Sequence, residues 1–179
     1  MFFLYNKGKF RYLSSTAFIQ PLLRIDGKEN ITIEPKVTIQ RLSWIAAVPL
    51  TGSENCHLSI GEGSIIGHMN HIFATGEITI GKYVLTADKV FISDNQHEFR
   101  DIQKPILAQG IKQLSKVTIG DGTWLGENVC VMGASIGKNC VIGSNSVVTK
   151  DIPDYCIAVG SPAKIIKRYN LNTKEWEKV

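Results

Sequence analysis

Four aliphatic–glycine pairs, Ile119-Gly120, Leu125-Gly126, Ile136-Gly137 and Ile142-Gly143, recur between Val117 and Ile152 at spacings of six, eleven and six residues. Within each six, the fifth place holds a small or β-branched residue: Thr123, Val129, Cys140 and Ser146. A period of six matches neither the helical repeat of about 3.6 nor the alternation of a strand. It is the repeat of a β-helix, in which each six residues supply one short strand and one corner. The aliphatic side chain fills the prism, and the glycine lets the corner turn without a Cβ clash. The fifth residue is small because the interior is narrow. Ordinary strands joined by glycine turns would be spaced irregularly.

The same period runs upstream. It begins at Ile25 and continues through Ile31 and Val37, with Ile33, Ile39 and Ile45 as a second series. Residues 47–57 (AVPLTGSENCH) break the count with Pro49 and Gly52 and are expected to form a loop. The period resumes with Ile60-Gly61, Ile66-Gly67 and Ile72, and after a two-residue insertion with Ile80-Gly81, Thr86-Ala87 and Ile92-Ser93. Residues 94–116 are the longest non-repeating stretch of the middle, a long excursion from a rigid scaffold where function tends to sit. Val131 to Ile136 is five residues, so one corner is tightened, at Gly133.

This divides the chain into an N-terminal cap segment (1–24), an all-β β-helix domain (25–153) with a protruding loop (94–116), and a C-terminal tail (154–179). The tail's run from Ile165 to Trp176 reads as a short helix sealing the end. In the first segment, Phe2, Phe3, Leu4, Phe10, Tyr12 and Leu13 with Lys7, Lys9 and Arg11 fit a cap over the open end of the prism. The alternative for that segment is a weak membrane-surface contact.

Composition narrows the class. The chain has 179 residues, 20% charged and 44% hydrophobic, as for a single globular domain. A net charge of +4 without a dense Lys/Arg stripe argues against a nucleic-acid partner. Cys56, Cys130, Cys140 and Cys156 form no C-x-x-C pair and read as reduced thiols of a cytoplasmic protein. The apolar start Met1–Tyr5 is too short for a signal sequence, and no stretch reaches membrane-spanning length.

The run Ile142-Gly143-Ser144-Asn145-Ser146-Val147-Val148-Thr149-Lys150-Asp151-Ile152-Pro153, followed by Ala158-Val159-Gly160-Ser161-Pro162-Ala163-Lys164, closely resembles the hexapeptide-repeat acyltransferases. Within them it is similar to the galactoside/maltose O-acetyltransferases and the O-acetyltransferases of capsule and lipopolysaccharide pathways. The resemblance spans about residues 25–168. It implies a left-handed parallel β-helix, a homotrimer with sites between subunits, and acetyl-CoA as donor without a metal. It also places the family's catalytic histidine at His97, in Asp94-Asn95-Gln96-His97-Glu98-Phe99, sixteen residues after Gly81. Where the galactoside enzymes usually follow this histidine with Pro, this chain has Glu98.

His97 suits the chemistry. A hydroxyl attacks a thioester only as its proton leaves, and a positioned neutral imidazole contributes about 10²–10⁴-fold by taking that proton. Asp94, Glu98 or a backbone carbonyl are the candidates to orient the ring. Asn70, His71 and Asp94 are the expected acceptor-binding residues. For the donor, the resemblance implies main-chain contacts near Glu127 and Ser144, Thr149 and Lys150 along the CoA arm, and Lys164 and Lys167 near its phosphates. Trp124 is expected against the adenine or against a neighbouring subunit. The leading expectation is acetyl transfer to a sugar hydroxyl in surface-polysaccharide synthesis. Other acceptors, a nucleotide-linked amino sugar or serine, are the alternative. A γ-carbonic-anhydrase-like zinc protein, using His68, His71 and His97, lacks that family's close ligand spacing.

Overall fold

A computed structural model describes residues 9–179, in which nearly every strand runs parallel to the strand one turn earlier. Face A stacks Tyr12–Leu13, Ile31–Ile33, His57–Ile60, Glu77–Ile80 and Val117–Ile119, and isolated bridges through Ile136 and Ile152 extend it. Face B runs from Phe18–Ile19 through Thr38–Ile39, Ile65–Ile66, Leu85–Thr86, Trp124–Leu125 and Val141–Ile142 to Cys156–Val159. Face C stacks Arg24–Asp26, Trp44–Ala47, His71–Ala74, Phe91–Ser93, Cys130–Met132 and Val147–Val148. Each face takes every third strand, so the chain winds as a three-sided parallel β-helix.

The interior follows the six-residue count. Ile33, Ile60, Ile80 and Ile119 stack in register on face A and are fully buried. The fifth-place residues Thr123, Val129, Cys140 and Ser146 also point inward and are buried. Each buried aliphatic contributes about 1.5–3 kcal/mol, and the column repeats it rung after rung. Tyr12–Leu13 pairs in parallel with Thr32–Ile33, and Phe18–Ile19 with Thr38–Ile39. The coil thus starts ahead of Ile25, and the described part of the first segment adds strands to it. Residues 1–8, with Phe2, Phe3, Leu4 and Lys7 of the cap or membrane reading, lie outside the described residues.

Two of the three edges are regular. At the A–B edge the left-handed conformation falls on Lys36, Gly63, Tyr83, Gly122, Asn139 and Tyr155; at the B–C edge it falls on Leu42, Met69, Lys89, Asn128 and Asn145. The glycine of each aliphatic–glycine pair lies two residues earlier, and there close approach is the constraint. A Cβ on Gly120 would meet the Lys138 nitrogen at 2.4 Å.

The C–A edge absorbs every change of length: the loop 47–57, the insertion around Thr75-Gly76, the excursion 94–116 and the tight corner at Gly133. Gly133 has φ +55, and a Cβ there would lie 2.6 Å from Leu114 Cβ at the end of the excursion.

The tail is not helical. Lys164–Asn170 and Glu175–Lys178 form an antiparallel hairpin that extends face B from Cys156–Val159. Ile165, Lys167 and Tyr169 are half-buried while Lys164, Ile166 and Arg168 are exposed, a strand alternation that adjacent β-branched isoleucines favour. Tyr169 packs across the hairpin on Trp176 at 5.3 Å, and Asn170 Oδ1 accepts from the Asn172 and Thr173 amides to form the turn.

Candidate active site

The excursion opens as a ribbon: Asn95–His97 pairs antiparallel with Ile111–Gln113, His97 opposite Ile111. Asp94 anchors its root. Its two carboxylate oxygens accept from the Thr75 amide at 2.8 Å, the Gly76 amide at 2.7 Å, the Asn95 side-chain amide at 3.1 Å and the Thr75 hydroxyl at 3.2 Å. Gln113 ties the second strand in: its amide donates to the Asp94 carbonyl at 2.7 Å, and its oxygen accepts from Thr75 Oγ1 at 2.9 Å and Thr51 Oγ1 at 2.6 Å. One buried polar network therefore joins all three insertions of the irregular edge. A fully satisfied network of this kind holds a single geometry.

His97 stands exposed on this ribbon, and its imidazole makes no hydrogen bond to a described residue. It lines a cleft of about 400 Å³ whose walls include Phe73, Phe91, Ile111 and Met132, with Trp44 and His71 at the back. The back wall belongs to a ladder on face C, where Arg24, Trp44, His71, Phe91 and Cys130 occupy the same place on successive rungs. Trp44 and His71 stack at 4.3 Å with 7° between planes, and Phe91 meets His71 edge-on at 5.1 Å. Arg24 lies 5.1 Å over Trp44 and bonds Asp26 at 2.7 Å, while Trp44 Nε1 donates to the same carboxylate at 2.8 Å. Burial pushes the His71 pKa down, and its Nε2 is buried without a hydrogen-bond partner among the described residues.

Two of the expected acceptor residues are engaged inside the fold. Asn70 points into the prism. It is 1% exposed, in the inward column of Ser43, Val90 and Val129, and its amide donates to the His68 and Ala87 carbonyls. The signal was present in the sequence, since Asn70 holds the inward fifth place two residues before Ile72. Asp94 is fully buried, its carboxylate committed to the corner. None of the bonds described for its carboxylate goes to His97. Glu98 is engaged elsewhere too: Arg100 bonds it at 2.6 Å and holds its carboxyl down at about 2. His71 does line the cleft. Sequence reasoning missed Trp44, Phe73, Phe91 and Met132. The ladder members Trp44 and Phe91 were findable, because each directly precedes an inward isoleucine, Ile45 and Ile92.

The expected donor residues lie on several surfaces. Trp124 is 47% exposed on face B, and Glu127 and Ser144 follow on the B–C edge, where Glu127 pairs with Lys89 at 3.1 Å. Thr149 and Lys150 are exposed on the C–A edge after Val147–Val148, beyond Met132, while Lys164 and Lys167 lie on the C-terminal hairpin. Within one chain, Glu127 and Ser144 are thus separated from His97 by the width of face C. His68 pairs with Asp88 at 3.2 Å on the B–C edge, away from His97; among the described residues no group of three His, Cys, Asp or Glu side chains is placed to hold a metal. No helix among the described residues is long and apolar enough to cross a membrane.

The coil of six-residue rungs agrees with the comparisons with known proteins. Residues 116–150 match the family model described as the hexapeptide repeat of succinyl-transferase. The chain is 44% identical over 115 residues to the putative lipopolysaccharide biosynthesis O-acetyl transferase WbbJ of Escherichia coli, covering 60% of this chain and 59% of that protein. Among solved structures, a galactoside acetyltransferase in complex with coenzyme A is 29% identical, with a TM-score of 0.59 over 88% of this chain and 72% of that one. The N-acyltransferase AntD of Bacillus cereus is 19% identical and shares the fold, with a TM-score of 0.79 over 97% of this chain and 91% of its own. These similarities bear out the resemblance to the hexapeptide-repeat acyltransferases carried by the sequence motifs. The chain spans 59% of WbbJ and 39% of another curated relative, a probable acetyltransferase of Mycobacterium tuberculosis.

Proposed function

We propose that this protein transfers an acetyl group from acetyl-CoA to a sugar hydroxyl, with His97 as general base, in cytoplasmic synthesis of a surface polysaccharide. The observation that carries this reading is the placement of His97, an unpaired imidazole at the rim of an aromatic cleft on a ribbon braced by Asp94. In the proposed reaction the acceptor hydroxyl gives its proton to the imidazole as its oxygen bonds the thioester carbonyl carbon. The tetrahedral intermediate then expels the CoA thiolate by breaking the C–S bond, and the imidazolium protonates the sulfur. A ring with no partner to hold it gains its orientation from the acceptor.

The proposal includes a left-handed coil and a homotrimer. A second copy bringing Trp124 of its face B, with Glu127 and Ser144 of the adjoining B–C edge, beside His97 would complete a site that one chain leaves divided. Thr149, Lys150, Lys164 and Lys167 then serve the rest of the donor, the lysines as point charges for phosphate. A screen of acetyl-CoA consumption across sugar acceptors tests the reading: His97→Ala should lower turnover by about 10²-fold or more on the best acceptor while CoA binding survives. Near-wild-type turnover of that variant would reject the assignment.

A further inference from the structure

The first turn of the coil carries apolar side chains on its outside as well as its inside. Tyr12 projects from face A, Phe18 from face B and Leu23 at the B–C edge, all of them exposed, Leu23 by 68%. Leu42 is exposed at the same edge one turn on. It holds the left-handed conformation, φ +62, that Asn128 and Asn145 take further along this edge. A leucine there is a poorer fit than asparagine and gains no burial within the chain. Charge gathers at the same end. Residues 1–50 hold seven Lys and Arg against three Asp and Glu, an excess of +4 that equals the formal charge of the whole chain; residues 51–179 hold thirteen of each. Arg24 bonds Asp26, but Lys9, Arg11 and Arg41 are exposed and enter no ion pair among the described residues.

We propose that the N-terminal end of the prism docks on the surface of an anionic lipid bilayer. Tyr12, Phe18, Leu23 and Leu42 enter the headgroup region, and Lys9, Arg11 and Arg41 meet the lipid phosphates. Side chains that point outward from separate sides of a prism do not fit one protein groove together. A fluid, flat layer meets all of them around the rim of an end placed on it, and the cations reach the phosphates on long apolar stems. A second copy does not compete for this surface. Copies packed against the faces leave the ends open, and rotation about a threefold axis keeps three like ends on one side. The trimer proposed above would set three such ends on one bilayer, where weak contacts reinforce one another. Membrane contact and acetyl transfer are separate properties of the chain, and either can fail alone.

Flotation of the full chain with lipid vesicles is the test. The wild type is expected to float with phosphatidylglycerol–phosphatidylethanolamine vesicles, to bind phosphatidylcholine vesicles about tenfold or more weakly, and to leave the anionic vesicles as salt rises. Leu23→Ser combined with Leu42→Asn should weaken binding to the anionic vesicles about tenfold without lowering the melting temperature. Arg11→Glu combined with Arg41→Glu should weaken it at least as much, about tenfold or more. Leu171→Ser, at a residue as exposed as Leu23 but on the opposite end, should leave it unchanged. A wild type that stays off the anionic vesicles overturns the proposal and needs no variant. Equal binding to phosphatidylcholine overturns it too, as does binding that both N-terminal pairs retain. Light scattering tests the other occupant: if Leu23→Ser with Leu42→Asn breaks the oligomer while vesicle affinity holds, these leucines serve a second copy and the proposal falls.

Discussion

Two edges of this prism repeat and the third does not. The A–B and B–C edges place a left-handed residue at the same point of successive rungs, and that regularity leaves little room for new groups. The C–A edge takes the loop 47–57, the insertion at Thr75-Gly76, the excursion 94–116 and the shortened turn at Gly133. It is also where His97 stands. Regular edges are held by backbone ladders, inward aliphatics and short polar links such as Ser43 to Gly67 and Thr123 to Gly137, whose contribution is spread over many rungs. The irregular edge is held by one polar network around Asp94 and Gln113, so its geometry depends on a few side chains.

The sharpest way to break this contrast is to strike the irregular edge in two places. His97→Ala should abolish most turnover, about 10²-fold or more, yet leave the melting temperature near that of the parent, because the exposed ring makes no hydrogen bond to a described residue. Asp94→Ala should do the reverse in origin. It strands the amides of Thr75 and Gly76 in a buried corner, at a cost of about 3 kcal/mol, and activity falls because the ribbon loosens. Thermal melting with amide exchange at 111–113 separates the two; a stable Asp94→Ala protein would show that the edge is braced by something else.

On the regular edges the expected losses are local. Gly120→Ala drives a methyl to 2.4 Å from the Lys138 nitrogen and should destabilise by about 1–3 kcal/mol without changing the acceptor KM. Leu42→Asn should be neutral or stabilising by up to about 1 kcal/mol, because Asn tolerates the left-handed conformation that Leu42 adopts at φ +62. Denaturant melts resolve both, and a large loss for Leu42→Asn would mean that its exposed side chain has a contact to protect.

The smallest expected effect links the ladder to pH. His71 has a pKa below its ordinary value, so the unfolded chain takes up a proton before the folded one does. Its contribution is complete above the unfolded value, near ~6.5, and is lost as pH falls below it. His57, also depressed by burial, adds with the same sign. His71→Phe should flatten the decline in melting temperature between pH 8 and pH 5, as chosen test conditions spanning the unfolded value; an unchanged slope would remove His71 from the account.

Much of the coil was legible because its interior admits only a narrow choice every six residues. Thr123, Val129, Cys140 and Ser146 marked the inward column, and Gly133 marked the short corner. The tail was misread because Ile165 to Trp176 fits either a helical or a strand period, and the partner that decides, Cys156–Val159, is set by folding. The bracing role of Asp94 was illegible for a related reason. A carboxylate beside a catalytic candidate looks functional in one dimension, and only three dimensions bring the Thr75 and Gly76 amides to it. His97 was legible through its resemblance, but the aromatic cleft that it faces is assembled from rungs far apart in the sequence.

The excursion has a consequence for how the chain finds its fold. On face A Leu58 joins Ile78 at a separation of about 20, but Ile78 joins Val117 across the excursion, and Lys82 meets Asp121 at a separation of 39. Closing a loop twice as long adds only about 0.6 kcal/mol of chain entropy, so the final stability is hardly affected. Rates are more sensitive to such distant pairings, and stacked repeats can nucleate in more than one place. The coil before residue 94 and the coil after residue 116 are then two zippers, and the step that docks them is the step that assembles the ribbon carrying His97.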